Sequence, residues 1–329
     1  MTGRVRRRAL IAVAACLAAS AWLPARAQAG RTYRVGYLHP TDRSDPGYVA
    51  FRGAMTELGY VEGQNTTFDE RFAEGRVDRL PAMAGELAAN RVEVIVAVSP
   101  TAIRAARDAT RTIPILMAFS GDDPVKSGFV ASLARPGGNT TGLTTIAVDL
   151  APKWIELLGE FVPGITTVAV LRSPGRMDHS AQIEAMRAAT AGRGVHLHVV
   201  EVRGVDTYEE AFVASVRAGC QGMVVLSGPE FTRNRQRLVD LATRHRMPTV
   251  FQFAEFVVAG GLVSYGPDIA DLSRRAARYV DQILRGANPG ELPVEQPRKL
   301  LLVVNRRTAA ALGLSVPSSL VLQADRVIG

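Results

Sequence analysis

Val94-Ile95-Val96-Ala97-Val98-Ser99-Pro100-Thr101 decides the fold class. Five consecutive apolar residues leave no polar face, so a strand here is buried on both sides, as in a parallel sheet covered by helices. Ser99 then offers a helix N-cap and Pro100 suits the first helical position. Outward from this stretch, strands are predicted at 33–38, 65–71, 92–98, 113–118 and 141–144, with helices near 48–58, 79–90, 99–109 and 124–133. This βαβ rhythm predicts an α/β protein with a doubly wound sheet.

Arg135-Pro136-Gly137-Gly138-Asn139 punctuates the chain, and after Ala147 the rhythm restarts. Helices are predicted at 151–161, 180–193, 208–218 and 233–245, and strands at 167–171, 196–201, 222–226 and 249–253. Two Rossmann-like units in tandem result. A run at 261–265, a helix at 268–285, a Pro-punctuated segment at 288–297, a strand at 299–305 and a helix at 307–312 are too few for a third domain. They are expected to return and complete the first two lobes. The predicted division is 28–143 plus 262–292 for the N-terminal lobe and 144–261 plus 293–329 for the C-terminal lobe. A chain that crosses between lobes this way gains a hinge around a cleft.

The first 27 residues read differently. Arg4-Val5-Arg6-Arg7-Arg8, an apolar run from Ala9 to Leu23 and Pro24-Ala25-Arg26-Ala27 have the layout of an export signal with cleavage after Ala27. The apolar run is shorter than the roughly 20 residues a bilayer core requires. Periplasmic localisation is expected. The arginine pair leaves twin-arginine export open, and Val13-Ala14-Ala15-Cys16 leaves lipid attachment at Cys16 as a competing reading.

Removing the leader's five Arg leaves 34 Lys and Arg against 31 Asp and Glu, so +8 falls to +3. No basic run remains, which argues against a nucleic-acid partner. Cys220 is then the sole cysteine and reads as a small packed side chain.

In doubly wound sheets ligands bind beyond the C-terminal strand ends, at helix N-termini. The post-strand loops therefore supply the site candidates: His39, Thr41 and Asp42; Ser99, Pro100 and Thr101; Ser120, Asp122 and Asp123; then Ser173, Ser180, Ser227, Gln252, Phe253 and Glu255. Free N–H groups and hydroxyls at Ser99 suit a carboxylate. The set favours binding over catalysis, because no G-x-S-x-G elbow and no phosphate loop is present. His196 and His198 share a strand face without a nearby third ligand, so no metal is expected, and no cofactor is implied.

Several motifs carry a resemblance: Leu58-Gly59-Tyr60-Val61-Glu62-Gly63-Gln64-Asn65, Asp123-Pro124-Val125, Ser132-Leu133-Ala134-Arg135-Pro136-Gly137-Gly138-Asn139-Thr140-Thr141-Gly142, Gly261-Leu262-Val263-Ser264-Tyr265-Gly266-Pro267-Asp268 and Leu292-Pro293-Val294-Glu295-Gln296-Pro297. Together they resemble the tryptophan/tyrosine-type substrate-binding proteins of ABC transporters. The resemblance implies a type I periplasmic binding fold, two lobes joined by a three-crossing hinge, with a small solute closed between them and delivered to an inner-membrane permease and its ATPase. It implies a non-enzymatic, monomeric receptor, and it adds Phe119 and Thr144 to the cleft.

On that resemblance, an amino acid's carboxylate is expected at Ser99, Thr101 and Ser180, and its ammonium at Asp122, Asp123 or Glu255. Phe119 or Phe253 would stack on an aromatic side chain. Arg172 and Arg176 are expected to face the cleft and favour a more acidic ligand. A sensory module for a signalling partner is the alternative, and an exported enzyme is disfavoured. A transcriptional regulator of the same fold would need a DNA-reading head, for which the few residues between Ala27 and the first strand leave no room.

Overall fold

A computed structural model describes residues 31–174 and 176–329. The export signal and Cys16 lie outside the described residues. Two sheets organise the rest. The first contains β1 (Tyr33–His39), β2 (Thr66–Phe72), β3 (Val94–Val98), β4 (Ile115–Ser120) and β5 (Thr140–Thr144), all parallel, in the order β2-β1-β3-β4-β5. The second contains β6 (Thr167–Arg172), β7 (His196–Glu201), β8 (Gly222–Val225), β9 (Thr249–Phe251), β10 (Val263–Pro267), β11 (Leu300–Asn305) and β12 (Arg326–Ile328). Its order is β12-β11-β10-β9-β8-β6-β7, parallel except between β10 and β11.

Both faces of each sheet are covered, which is why the central strands are apolar throughout. In the first lobe Val94, Val96 and Val98 pack with α1 (Pro46–Glu57), while Ile95 and Ala97 pack with α2 (Leu80–Ala89) and α3 (Ser99–Ala109). In the second, Val168, Val170 and Val224 face α4 (Ala147–Phe161) and α5 (Met177–Thr190), and Ala169, Leu171 and Met223 face α6 (Tyr208–Arg217), α7 (Pro229–Arg233) and α8 (Arg235–Arg244). Trp154 on α4 is fully buried, and its indole N–H donates to the Tyr265 carbonyl at 2.8 Å. That bond satisfies the one polar atom of the largest core side chain.

The returning elements do complete the lobes, but from different boundaries. Val263–Pro267 lies between β9 and β11, so 262–267 belongs to the second lobe rather than the first. After it, α10 (Ile269–Leu284) packs Leu272, Ala276 and Val280 onto Phe51 and Met55 of the first lobe. The chain stays there through 295, where Val294 N–H donates to Leu133 O at 2.7 Å and Glu295 N–H to Gly142 O at 2.9 Å. So 293–295 falls with the first lobe, and β11 then rejoins the second. Period-two patterning identifies a strand without saying which sheet it joins, hence the shifted boundaries.

Three local readings also change. The segment 124–133 forms turns instead of a helix. Asp123 Oδ1 accepts from Val125 N and Lys126 N as a helix cap would, but Gly128 adopts φ 69° and ends the turn. Additional short helices, α9 (Ala254–Val258), α11 (Arg306–Ala311) and α12 (Ser318–Gln323), complete the second lobe, of which α11 alone was legible. Cys220 is partly buried against the Phe212 cluster, as a packed thiol.

Candidate functional site

The loops that follow β1, β3, β4, β5, β6, β8, β9 and β10 meet at one cleft between the lobes, of about 670 Å³ including its solvent-open mouth. This is where parallel sheets place ligands, because helix N-termini and their free N–H groups converge there.

The first lobe builds one wall. At the end of β1, His39 is 1% exposed. Thr41 N–H donates to His39 Nδ1 at 3.0 Å, so Nδ1 is an acceptor and the ring proton sits on Nε2. Nε2 has no hydrogen-bond partner and lies 3.7 Å from Asp45 Oδ1. Asp45 caps α1, its Oδ1 accepting from Gly47 N at 2.8 Å and Tyr48 N at 3.2 Å. Burial works against the Asp45 charge, but His39 and these two N–H groups outweigh it and hold the carboxyl below its ordinary value.

Ser99 opens α3 with φ 77°, and its hydroxyl is buried without a partner. No side chain caps this helix start. Phe119 reaches the cleft by a similar device. A register shift between Met117 and Ser120 bulges β4, and Phe119 takes φ 61° within it. A bulge re-aims the side chain it carries, here towards the cavity. The paired strand accommodates this through Gly142, where any Cβ would run into the Met117 backbone.

The second lobe closes the other side with Arg176, Ser227, Gly228, Phe253 and Glu255. His179 ties two of its loops together: Ser173 N–H donates to Nδ1 at 3.2 Å, and Nε2 faces Ser227 O at 2.9 Å. Burial, with Arg176 beside it, holds His179 below its ordinary value and therefore neutral. Arg176 is neutralised by Asp178, with Nε–Oδ1 at 3.2 Å and Nη2–Oδ2 at 2.6 Å. Glu255 has no such partner. Burial raises its affinity for a proton, and the negative charges of Asp45 and Asp268 raise it further.

Of the residues read from the sequence, His39, Ser99, Pro100, Phe119, Ser227, Phe253 and Glu255 line this cleft. The others do not. Thr41 supports His39 from behind, and Asp42 accepts from Ser44 N and Oγ at the cleft mouth. Thr101 and Ser180 point to solvent on α3 and α5. Ser120 is fully buried, its carbonyl accepting from Thr145 N and the hydroxyls of Thr144 and Thr145. Asp122, Asp123 and Thr144 line a separate cavity beyond Gly121, where Ser127 Oγ donates to Asp122 Oδ2 at 3.0 Å. Ser173 is occupied by His179, and Gln252 is buried behind Phe253 with no side-chain partner.

Two expectations are corrected by these positions. Asp122 and Asp123 are displaced from the cleft, because the chain turns away after Gly121. Arg172 is absent from the cleft lining and lies 3.6 Å from Glu201 of β7, while Arg176 arrives already paired. Among the described residues that line the cleft, Glu255 is the carboxylate without an ion-pair partner. Asp45, Thr145 and Ile269 line the cleft without having been anticipated. The Asp45-Pro46 dipeptide, a cap followed by a first-turn proline, was the available signal for Asp45.

Residues 42–328 match the family model described as ABC transporter substrate binding protein. The chain belongs to that family. Among relatives, a tyrosine-binding protein of Clostridioides difficile (strain R20291) is 24% identical over 280 residues, spanning 84% of this chain and 78% of that protein. Among solved structures, a conserved domain protein from Vibrio cholerae superposes with a TM-score of 0.83 at 24% identity, covering 90% of this chain and 100% of the other. A Streptococcus domain in complex with L-Trp gives a TM-score of 0.81 at 24% identity, with the same coverage. The fold of this substrate-binding protein is thus the type I periplasmic one. Among the described residues no helix is long and apolar enough to cross a membrane.

Proposed function

We propose that this substrate-binding protein is the extracytoplasmic receptor of an ABC importer, closing its lobes on an amino acid with an aromatic side chain and presenting it to a membrane permease and its ATPase. One observation carries the reading. The cleft between the lobes offers hydrogen-bond donors at Ser99 and the uncapped start of α3, and carboxylates at Asp45 and Glu255, with Phe119 and Phe253 on its walls.

That arrangement is dipolar in the sense a zwitterion requires. The carboxylate belongs at the helix start, where free N–H groups and the macrodipole favour an anion. The ammonium belongs beside Asp45 and Glu255. The phenyl rings supply stacking surface. The L-Trp complex and the tyrosine-binding relative support the aromatic choice.

Isothermal calorimetry of the refolded, ligand-stripped protein against the twenty amino acids tests this. Saturable binding of tyrosine or tryptophan at micromolar concentration is expected. Failure of every amino acid to bind refutes the reading, as does chemical turnover of a bound one.

A further inference from the structure

The far end of α3 carries three arginines that the cleft does not use. Arg104 and Arg107 stand three residues apart on one helix face, and Arg111 follows directly after the Thr110 cap. With Asp108 and the turn Ser127-Gly128-Phe129 they line a recess of about 340 Å³ including its open mouth. Arg107 lies roughly 12 Å along the helix from Ser99. The recess and the cleft have no lining residue in common.

The recess is built on a packed base. Phe129 is 5% exposed, and the guanidinium carbons of Arg104 and Arg107 lie 5.3 and 5.7 Å from its ring centroid. Stacking against one ring holds the planar groups while their N–H edges stay available for hydrogen bonds. The turn beneath is fixed by hydrogen bonds. Gly128 N–H donates to Val125 O at 3.0 Å, Phe129 N–H to Pro124 O at 2.8 Å, and Ser127 Oγ to Asp122 Oδ2 at 3.0 Å.

Charge in the recess is not balanced. None of the three arginines forms an ion pair among the described residues, and Arg107 Nη1 is buried without a hydrogen-bond acceptor. A charged donor left dry in this way is costly. Burial, and next the charge of Arg111, hold the Arg107 guanidinium below its ordinary value; Asp108 opposes this less than Arg111 promotes it, and Arg104 adds to it. The macrodipole favours cations at a helix C-terminus, which explains a basic residue there. It does not explain three gathered around a recess with one donor unsatisfied.

We propose that Arg104, Arg107 and Arg111 form a site for a phosphate-class oxyanion, separate from the solute cleft. Guanidinium forks bind tetrahedral oxyanions through paired N–H donors, and a doubly charged ion suits three cations facing one carboxylate. Arg107 Nη1 gains its acceptor, and the repulsion among the three guanidinium groups is relieved. Free phosphate and the headgroup of an anionic phospholipid offer this same chemistry.

Calorimetry of the folded protein with inorganic phosphate, at constant ionic strength set by chloride, tests the site. Saturable binding at millimolar concentration or below is expected. Arg107→Gln should weaken it by about tenfold or more, and so should Arg104→Gln combined with Arg111→Gln, two exposed positions where folding is not at stake. Circular dichroism confirms that each variant is folded. Flotation with phosphatidylglycerol vesicles, against phosphatidylcholine vesicles, separates the sources. Retention on the anionic vesicles that both variants lose identifies the headgroup, and calorimetric binding without retention identifies the free ion. Failure of both probes to bind overturns the site. So does a melting temperature that rises with phosphate equally in parent and variants, since that is the general stabilisation any folded protein gains from phosphate.

Discussion

Gly142→Ala is expected to damage both the first lobe and the cleft. Gly142 sits in β5 with φ 139°, where side-chain-bearing residues are strained. A Cβ there would lie 2.7 Å from Met117 N, 2.8 Å from Met117 C and nearer still to Met117 O. These are backbone atoms of the adjacent strand, so no rotamer change relieves the clash and β4 and β5 must separate. Backbone strain of about 1–3 kcal/mol adds to about 1–3 kcal/mol of overpacking, for a loss of about 4 kcal/mol. For a protein with roughly 5–15 kcal/mol of stability that is a large fraction. Urea unfolding followed by far-ultraviolet circular dichroism measures it from the midpoint shift at constant slope. Solute affinity should fall with it, because the bulge opposite Gly142 aims Phe119 and β5 leads directly to Thr145. A loss below about 1 kcal/mol with unchanged binding would refute the close approach of the strands and the role of the bulge.

Three further outcomes follow from the site. Glu255 must be ionised to hold an amine, and burial raises its pKa above the ordinary 4.5. Amine affinity therefore falls as pH is lowered from 7 through that raised range, by at most about tenfold per pH unit for one proton. The ligand-free protein shows the opposite sign: stability is gained as pH falls through the same range, since protonation removes a charge that burial disfavours. Calorimetry in steps of half a pH unit checks both, and Glu255→Gln should flatten the profile. Arg233→Ala removes a contact across the cleft mouth, where Nη1 donates to Glu74 O at 2.7 Å and Nε lies 3.4 Å from Asp42 Oδ2. These groups are 44% and 31% exposed, so about 0.2–1 kcal/mol is at stake. A two- to five-fold faster solute release in stopped flow is expected, with an unchanged ligand-free melting temperature. Ser99→Gly relieves the φ of 77° and should stabilise the ligand-free protein by about 0.5–1 kcal/mol while weakening solute binding. Greater stability without loss of affinity would show that the Ser99 hydroxyl does not touch the solute.

Much of the fold was legible because buried parallel strands announce themselves. Val94–Val98, Thr167–Arg172 and His196–Glu201 stand within two residues of where apolar runs and turn signals placed them. The affiliation of the late strands was not legible, since Val263–Pro267 is equally suited to either sheet until its neighbours are known. The site was harder for a different reason. One residue of rotation decides which side chain at a helix start faces the ligand, so Ser99 turns inward while Thr101, two residues on, faces water. Bulging of β4 turned Phe119 into the cleft and left Ser120 buried behind it. Asp45 escaped notice because it lies six residues beyond β1 and returns over the cleft only through the turns at 40–44. Asp122 and Asp123 looked suitable by position, but the turn at Gly121 sends them to the far cavity.

The placement of α10 also fixes an order of assembly. Its apolar stripe, Leu272, Ala276, Tyr279, Val280 and Ile283, covers Tyr48, Phe51 and Met55, and Tyr60 OH bonds Asp281 at 2.8 Å. A first lobe ending at Thr144 would therefore expose these aromatic residues to water until more than a hundred later residues had emerged. The second sheet in turn waits for β11 and β12 on its far side. Each lobe is thus closed by residues made after the other lobe has begun, the first by α10 and the second by β11 and β12, so a truncation before Ile269 leaves both unfinished.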